Sequence, residues 1–156
     1  MKTKLVAVTG ANGFVGYNLC VTLEKLGYKV RRISRVSQLN SNNDVSIENW
    51  YESIDWEKIL VNVDFIIHCA GMAHRSNLKN NSEKYELSNH ILTKKIFIAA
   101  KKMYVKKFIF LSTIKVNGDF TLNNQSFKYD DRPNPSDAYA LSKLNAETSI
   151  IKLAEN

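Results

Sequence analysis

The stretch LVAVTGANGFVG, residues 5 to 16, constrains the fold of this chain more than any other. Leu5-Val6-Ala7-Val8-Thr9 is a continuously apolar run that stops at a glycine, the pattern of a strand buried on both faces of a parallel sheet. From Phe14 to Leu26 the apolar residues Val15, Leu19, Leu23 and Leu26 recur at helical spacing, and Gly27 stands where a C-terminal cap belongs. Between strand and helix the glycines have the spacing GxxGxxG. Gly10 permits a tight turn off the strand, Gly13 lets the backbone approach a phosphate with no side chain in the way, and Gly16 allows close helix–strand packing. The N-terminus of the helix then offers unpaired N–H groups and a partial positive charge. A glycine-rich turn with no ligand is the plainer reading of such spacing alone. Its place after a strand and at the start of a helix favours a nucleotide cofactor.

The rest of the chain repeats the alternation. Val30 to Ile33 reads as a second strand, and residues 35 to 50 as a long polar loop with a short strand near Val45-Ile47. Asp55 to Leu60 suits a short helix and Asp64 to His68 a buried strand. Tyr85, Leu87, Ile91, Leu92, Ile96 and Ala99 recur at three and four, which predicts a helix from Ser82 to about Tyr104. Phe108 to Leu111 is a further strand, and a helix from about Asp137 to Glu155 follows Pro133 and Pro135. Strands alternating with helices imply right-handed crossovers and an α/β doubly wound parallel sheet. The 156 residues, 1–156, are read as one domain without internal repeats, long enough to bury a core.

Composition narrows the partners. The net charge is +7, yet the lysine pairs at 94–95, 101–102 and 106–107 lie on or just after one helix with no aromatic platform interleaved, which suits a solvated face rather than nucleic acid. No apolar run approaches the ~18 residues of a membrane span. The glycines at 10, 13 and 16 interrupt the first apolar stretch too early for a signal peptide, so the expected location is cytoplasmic. Cys20 and Cys69 lie in apolar surroundings without CxxC spacing and read as reduced core residues. His68, His74 and His90 lack metal-ligand spacing, and no metal is expected.

Two features bear on chemistry. In folds of this class the second strand commonly ends in an acid that holds the ribose of NAD. Here that end carries Ser34 and Arg35, and Arg32 and Arg35 could pair with a 2′-phosphate, so NAD and NADP both stay open. The second feature is Tyr139-Ala-Leu-Ser-Lys143, which puts a phenol and an ammonium on one helical face. A tyrosine with an unperturbed pKa near ~10 is a poor base, and a neighbouring cation favours its phenolate. Any amphipathic helix can hold such a pair. Ser112-Thr113, however, follows the strand Phe108–Leu111 and so places hydroxyls at a carboxyl end of the sheet, where ligands bind in such folds.

Together TGANGFVG, the strand-end HCAG (68–71), Asn89, LSTIKVNG (111–118) and YALSK resemble the N-terminal half of an extended short-chain dehydrogenase/reductase of the nucleotide-sugar epimerase/dehydratase family, of the UDP-glucose 4-epimerase type. The resemblance runs from residue 3 to the end. It implies a Rossmann-type fold from which the C-terminal substrate lobe is missing, and a chain that is the cofactor-binding part of a longer enzyme. It implies that Gly10, Gly13 and Gly16 cradle the cofactor pyrophosphate with Asn12, Phe14 and Val15 in the same loop. Ala70 and Gly71 would line the cofactor, Arg35 would lie at its adenosine end, and Asn89 would brace the long helix. Thr113 would be the catalytic hydroxyl, Tyr139 the acid/base, and Lys143 the residue that tunes Tyr139 and holds the nicotinamide ribose. Ile114 and Lys115 stand where dehydratases of the family carry an Asp-Glu pair, which disfavours dehydration.

The expected activity is therefore NAD(P)-dependent 4-epimerisation of a nucleotide sugar, or 4-keto-sugar reduction, in surface-polysaccharide synthesis, with a UDP-sugar as substrate. A homodimer through helices 82–104 and 137–155 is expected from the same resemblance. The alternative is a non-catalytic dinucleotide-binding or protein-interaction module with the same fold.

Overall fold

The computed structural model describes residues 3–35, 41, 43–50, 52–73, 82–121 and 125–155. His74 and residues 36–40 of the expected long loop lie outside them. The chain divides into two compact units, one of residues 1–71 and 95–111 and the other of residues 72–94 and 112–156.

The first unit is built on a five-stranded parallel sheet: β1 (Leu5–Thr9), β2 (Lys29–Ser34), β3 (Val45–Ser46), β4 (Phe65–His68) and β5 (Lys107–Phe110), in the order β3-β2-β1-β4-β5. The doubly wound fold expected from the alternation is the one present. β1 occupies the centre and is buried along its whole length, as its unbroken apolar run requires. Its register pairs Ala7 with Arg31 and Ile66, and Thr9 with Ile33 and His68.

Because successive residues of a strand face opposite ways, each face has its own cover. Val6, Val8, Phe65 and Ile67 pack with Cys20 and Leu23 of helix α1 (Phe14–Lys25). On the other face Phe108 meets Phe97 of helix α4 (Leu92–Lys102) edge to face at 5.2 Å. Helix α2 (Trp56–Ile59) is capped by Asp55, whose carboxylate accepts the Lys58 N–H at 3.0 Å. The lysines behave as expected of a solvated face: Lys94 and Lys95 are exposed, Lys102 pairs with Glu57 at 2.7 Å, and Lys106 pairs with Asp64 at 2.9 Å.

One expectation about α1 fails. Val15 and Leu26, placed on its apolar face by periodicity, are 45% and 69% exposed, whereas the buried residues are Gly16 and Cys20. The face that meets the sheet is the one with the smallest side chain, because there the helix backbone comes closest to the β1 turn. Cys20 is fully buried, and that burial pushes its thiol up to about 11.

In the second unit the chain is helical in α3 (Ser82–Tyr85), a π-helical stretch (Glu86–Ile91) and the start of α4, and again in α5 (Ala138–Glu155). The helix expected from Ser82 is thus present, but its middle is a π-turn. The extra residue per turn rotates the apolar pattern, leaving Leu87, expected on the buried face, 39% exposed and burying Asn89 completely. No helix among the described residues is long and apolar enough to cross a membrane.

Candidate active site

The glycine turn is set by backbone contacts. Gly10 has φ +67°, and a Cβ added there would lie 2.8 Å from the Ala70 nitrogen and 2.9 Å from its Cα. A Cβ on Gly16 would lie 2.2 Å from the Gly10 carbonyl oxygen. Both positions are closed to any side chain. Gly13 donates to the Gly10 carbonyl at 2.9 Å and is the cap residue of α1, with no side chain to cover the helix end and no acidic residue in the first turn. Tyr17 makes the first intrahelical bond, to the Gly13 carbonyl at 2.9 Å, so the amides of Phe14, Val15 and Gly16 precede the hydrogen-bonded ladder. Asn12, Phe14 and Val15 are exposed around them. Uncovered amides, a positive dipole end and no competing carboxylate fit a pyrophosphate.

The end of β4 is tied to the same turn. The Ala70 N–H donates to the Thr9 hydroxyl at 3.1 Å, and that hydroxyl lies 2.6 Å from Nδ1 of the buried His68, whose ring stacks on Phe110. Ala70 is buried and Gly71 exposed. The two arginines near β2 part company. Arg32 grips the Glu24 carboxylate with both terminal nitrogens, at 2.7 and 2.8 Å, and this pairing raises its pKa further. Its guanidinium is therefore occupied on α1, two residues before the strand ends, and not offered at that end. Arg35, just past β2, is exposed.

In the second unit Thr113 opens a short 3₁₀ turn (Ile114–Val116), and its hydroxyl accepts the Lys115 N–H at 3.4 Å, which leaves its own hydrogen to donate. Tyr139 and Lys143 lie one turn apart near the start of α5. Tyr139 is half-buried and Lys143 buried. The Tyr139 ring meets Tyr85 edge-on at 5.8 Å. Asn89 reaches out of the π-turn to three partners: its carbonyl accepts the Met72 N–H at 2.7 Å, and its amide donates to the Met72 carbonyl at 3.1 Å and to the Ser142 hydroxyl at 3.0 Å. Ser142 in turn donates to the Tyr139 carbonyl at 2.7 Å. Farther along the same two elements His90 bonds Glu86 and lies 2.7 Å from the Ser149 hydroxyl.

A model of the NAD dependent epimerase/dehydratase family matches residues 6–156. The chain belongs to that family. Among its relatives, the UDP-glucose 4-epimerase of Vibrio cholerae is 36% identical over 98% of this chain, which spans 48% of that protein. A UDP-N-acetylglucosamine 4-epimerase from Methanobrevibacter ruminantium M1, solved with UDP-N-acetylmuramic acid, superposes with a TM-score of 0.84 at 30% identity, over 100% of this chain and 52% of its own. A UDP-glucuronic acid 4-epimerase from Bacillus cereus, solved with UDP-glucuronic acid and NAD, gives 0.85 at 26% identity, over 97% and 52%. The chain thus spans about half the length of these family members.

For this epimerase/dehydratase family member, the residues singled out from sequence fall into two groups. Gly10, Asn12, Gly13, Phe14, Val15, Gly16, Ala70 and Gly71 assemble in the first unit, and Thr113, Tyr139 and Lys143 are in the second. From sequence, the last helix starts at about Asp137, with no role assigned to that residue or to Ser142. Asp137 carried a usable signal, because an acidic residue just ahead of an apolar-periodic segment is an N-cap pattern. Ser142, a serine inside a helix, carried none.

Proposed function

We propose that this chain is the cofactor-binding part of an NAD(P)-dependent nucleotide-sugar 4-epimerase, or of a 4-keto-sugar reductase that uses the return half of the same reaction. The substrate class is a UDP-sugar, as in the relatives, and the setting is the synthesis of surface polysaccharide. The observation that carries the reading is the buried Lys143 one turn from Tyr139 on a helix whose first turn is locked by Ser142 and Asn89. A protein that only binds a dinucleotide has no need of Thr113, Tyr139 and Lys143 together.

The nicotinamide cofactor, when bound, supplies the hydride acceptor and donor at C4. The chain's residues do the rest. The amides of the Gly10–Gly16 turn hold the pyrophosphate, with Ala70 and Gly71 alongside. Tyr139 takes the proton of the C4 hydroxyl and later returns it, and the Thr113 hydroxyl holds that sugar oxygen meanwhile. Lys143, one turn farther along α5, holds the nicotinamide ribose. Either NAD or NADP is the cofactor. With Arg32 engaged by Glu24, Arg35 is the arginine that would meet a 2′-phosphate.

Calorimetric titration of the chain with NADH and with NADPH tests the cradle, and Arg35→Ala should weaken only the second if the phosphate is recognised there. The complete reading frame should invert C4 of a UDP-sugar by proton NMR, and Tyr139→Phe should lower that rate ~10²- to 10⁴-fold. A cofactor that binds without any turnover of nucleotide sugars by the complete frame would favour the non-catalytic module instead.

A further inference from the structure

Lys115 stands two residues beyond Thr113, and Asp137 two residues before Tyr139. The Lys115 ammonium lies 3.1 Å from one carboxylate oxygen of Asp137, while the other oxygen accepts the Ala140 N–H at 2.7 Å. Asp137 is therefore the N-cap of α5 as well as an ion-pair partner, and its carbonyl accepts the Leu141 N–H at 2.9 Å, the first rung of the helix. A second arm reaches the same place: Lys115 meets Asp119 at 3.3 Å, and Asp119 accepts a bond from Ser136. The Asn134 N–H donates to the Val116 carbonyl at 2.9 Å, so the backbones of the two segments are joined independently of the ions. Both Lys115 and Asp137 are half-buried, with side chains 33% and 28% exposed.

We propose that Lys115 is a positioning residue for proton transfer: by holding the N-cap of α5 against the turn that begins with Thr113, it fixes the Tyr139 phenol relative to the Thr113 hydroxyl. The inference rests on the roles given above to Thr113 and Tyr139. An amine or guanidinium holds this carboxylate more strongly than a neutral donor, because its remaining oxygen then takes part in a charge-assisted bond. The bond to Asp137 first, and that to Asp119 second, raise the Lys115 pKa, so the tether stays charged throughout the neutral range. A Tyr139 freed to move by a fraction of an ångström would still bind its ligands but would meet the sugar oxygen in a poorer geometry, a loss that appears in kcat.

Two measurements test it, one of them independent of turnover. In this chain, Lys115→Met should speed amide hydrogen exchange at Ala140 and Leu141 about five-fold, with Tm little changed because the Asn134–Val116 bond survives. Lys115→Arg should restore protection. In the complete reading frame, Lys115→Met should lower kcat about ten-fold or more with the KM of nucleotide sugar and cofactor within about two-fold, and Lys115→Arg should recover most of the rate. Unchanged exchange at Ala140 and Leu141 overturns the tether. Faster exchange with an unchanged kcat overturns its role in positioning, as does a kcat loss that arginine fails to rescue. If the unmutated frame turns over no nucleotide sugar, the reading of the reaction falls and the positioning role falls with it, whereas the exchange result still decides whether the tether exists.

Discussion

The glycine turn and the Thr113–Tyr139 region each hold a group of atoms in place, by opposite means. The turn is built from absences: Gly10 and Gly16 work because neither has a Cβ, and the backbone occupies the space. The region around Tyr139 is built from side chains: Asn89, Ser142, Asp137 and Lys115 satisfy one another and the backbone. A backbone cradle fails when something is added, and a side-chain network fails when something is removed.

The largest expected effect breaks the first half of this comparison. Within a helix Gly→Ala ordinarily stabilises by ~0.5–1 kcal/mol. At Gly16 the new Cβ would sit 2.2 Å from a carbonyl oxygen that cannot move without distorting the β1 turn. Gly16→Ala should therefore reverse the sign, with a loss of about 3 kcal/mol or more in urea unfolding and no dinucleotide binding. A variant as stable as the parent would show that the helix does not approach the turn so closely.

Removal is the test for the network. Asn89→Leu keeps the branched heavy-atom skeleton but strands the N–H and carbonyl of Met72 and takes from the Ser142 hydroxyl the N–H that it accepts. Buried groups left unsatisfied cost about 1–3 kcal/mol each where water cannot reach them, so a total of about 2–4 kcal/mol is expected by thermal unfolding. Ser142→Ala removes one acceptor of Asn89 and should cost about 1 kcal/mol. If the two variants lose equally little, the π-turn is held by apolar packing instead.

The same contrast explains what was legible in the sequence. The parallel sheet and the glycine cradle follow from local patterns: an apolar run ended by a glycine, then a helical period capped by Gly27, can hardly be built otherwise. The apolar stripe of α1 was misjudged because periodicity ranks side chains by size, while this interface is set by the smallest, Gly16. The π-turn left no local signature, because a π-turn and an α-turn draw on the same residue types and differ by one residue in register. Tyr139 and Lys143 were visible through spacing. Their supports were not, since Lys115 meets Asp137 only after the chain between them has folded back.

An ionic tie within the sheet unit gives a smaller effect, with a pH signature. Asp64 accepts the Leu5 N–H at 3.0 Å and pairs with Lys106 and, more distantly, Lys4, so it holds the starts of β1 and β5. The Lys106 bond first, then the Leu5 amide, depress its carboxyl to about 2. A carboxylate whose pKa falls on folding stabilises the fold above its unfolded pKa of ~3.9, and that contribution fades as pH drops through the folded value. Asp64→Asn should thus lower Tm at pH 7, with the gap narrowing between about pH 4 and 2. A gap independent of pH over that range would mean that the loss does not come from the ionised carboxylate, neither from its pairing with lysine nor from its bond to the Leu5 amide.

The smallest effects separate steric contact from backbone conformation, the two reasons a glycine can be needed. Helices α1 and α4 end in the same motif: Gly27 donates to the Glu24 carbonyl and Tyr28 to that of Leu23, just as Tyr104 donates to Lys101 and Val105 to Ala100. The residue in the left-handed position is Gly27 in one case, at φ +83°, and Tyr104 in the other, at φ +54°. A Cβ on Gly27 would meet nothing within 4 Å, so Gly27→Ala isolates the conformational term and should cost about 1 kcal/mol. Tyr104 is 90% exposed and gains little from packing, so Tyr104→Gly should stabilise by up to about 1 kcal/mol, the relief of left-handed strain outweighing the extra freedom of the unfolded chain. Opposite signs of similar size at these two helix ends would confine the conformational term to about 1 kcal/mol, so that any larger loss in Gly16→Ala is owed to the contact with Gly10. A loss at Gly27 as large as that at Gly16 would refute the distinction, and with it the view that the cradle is held by close approach.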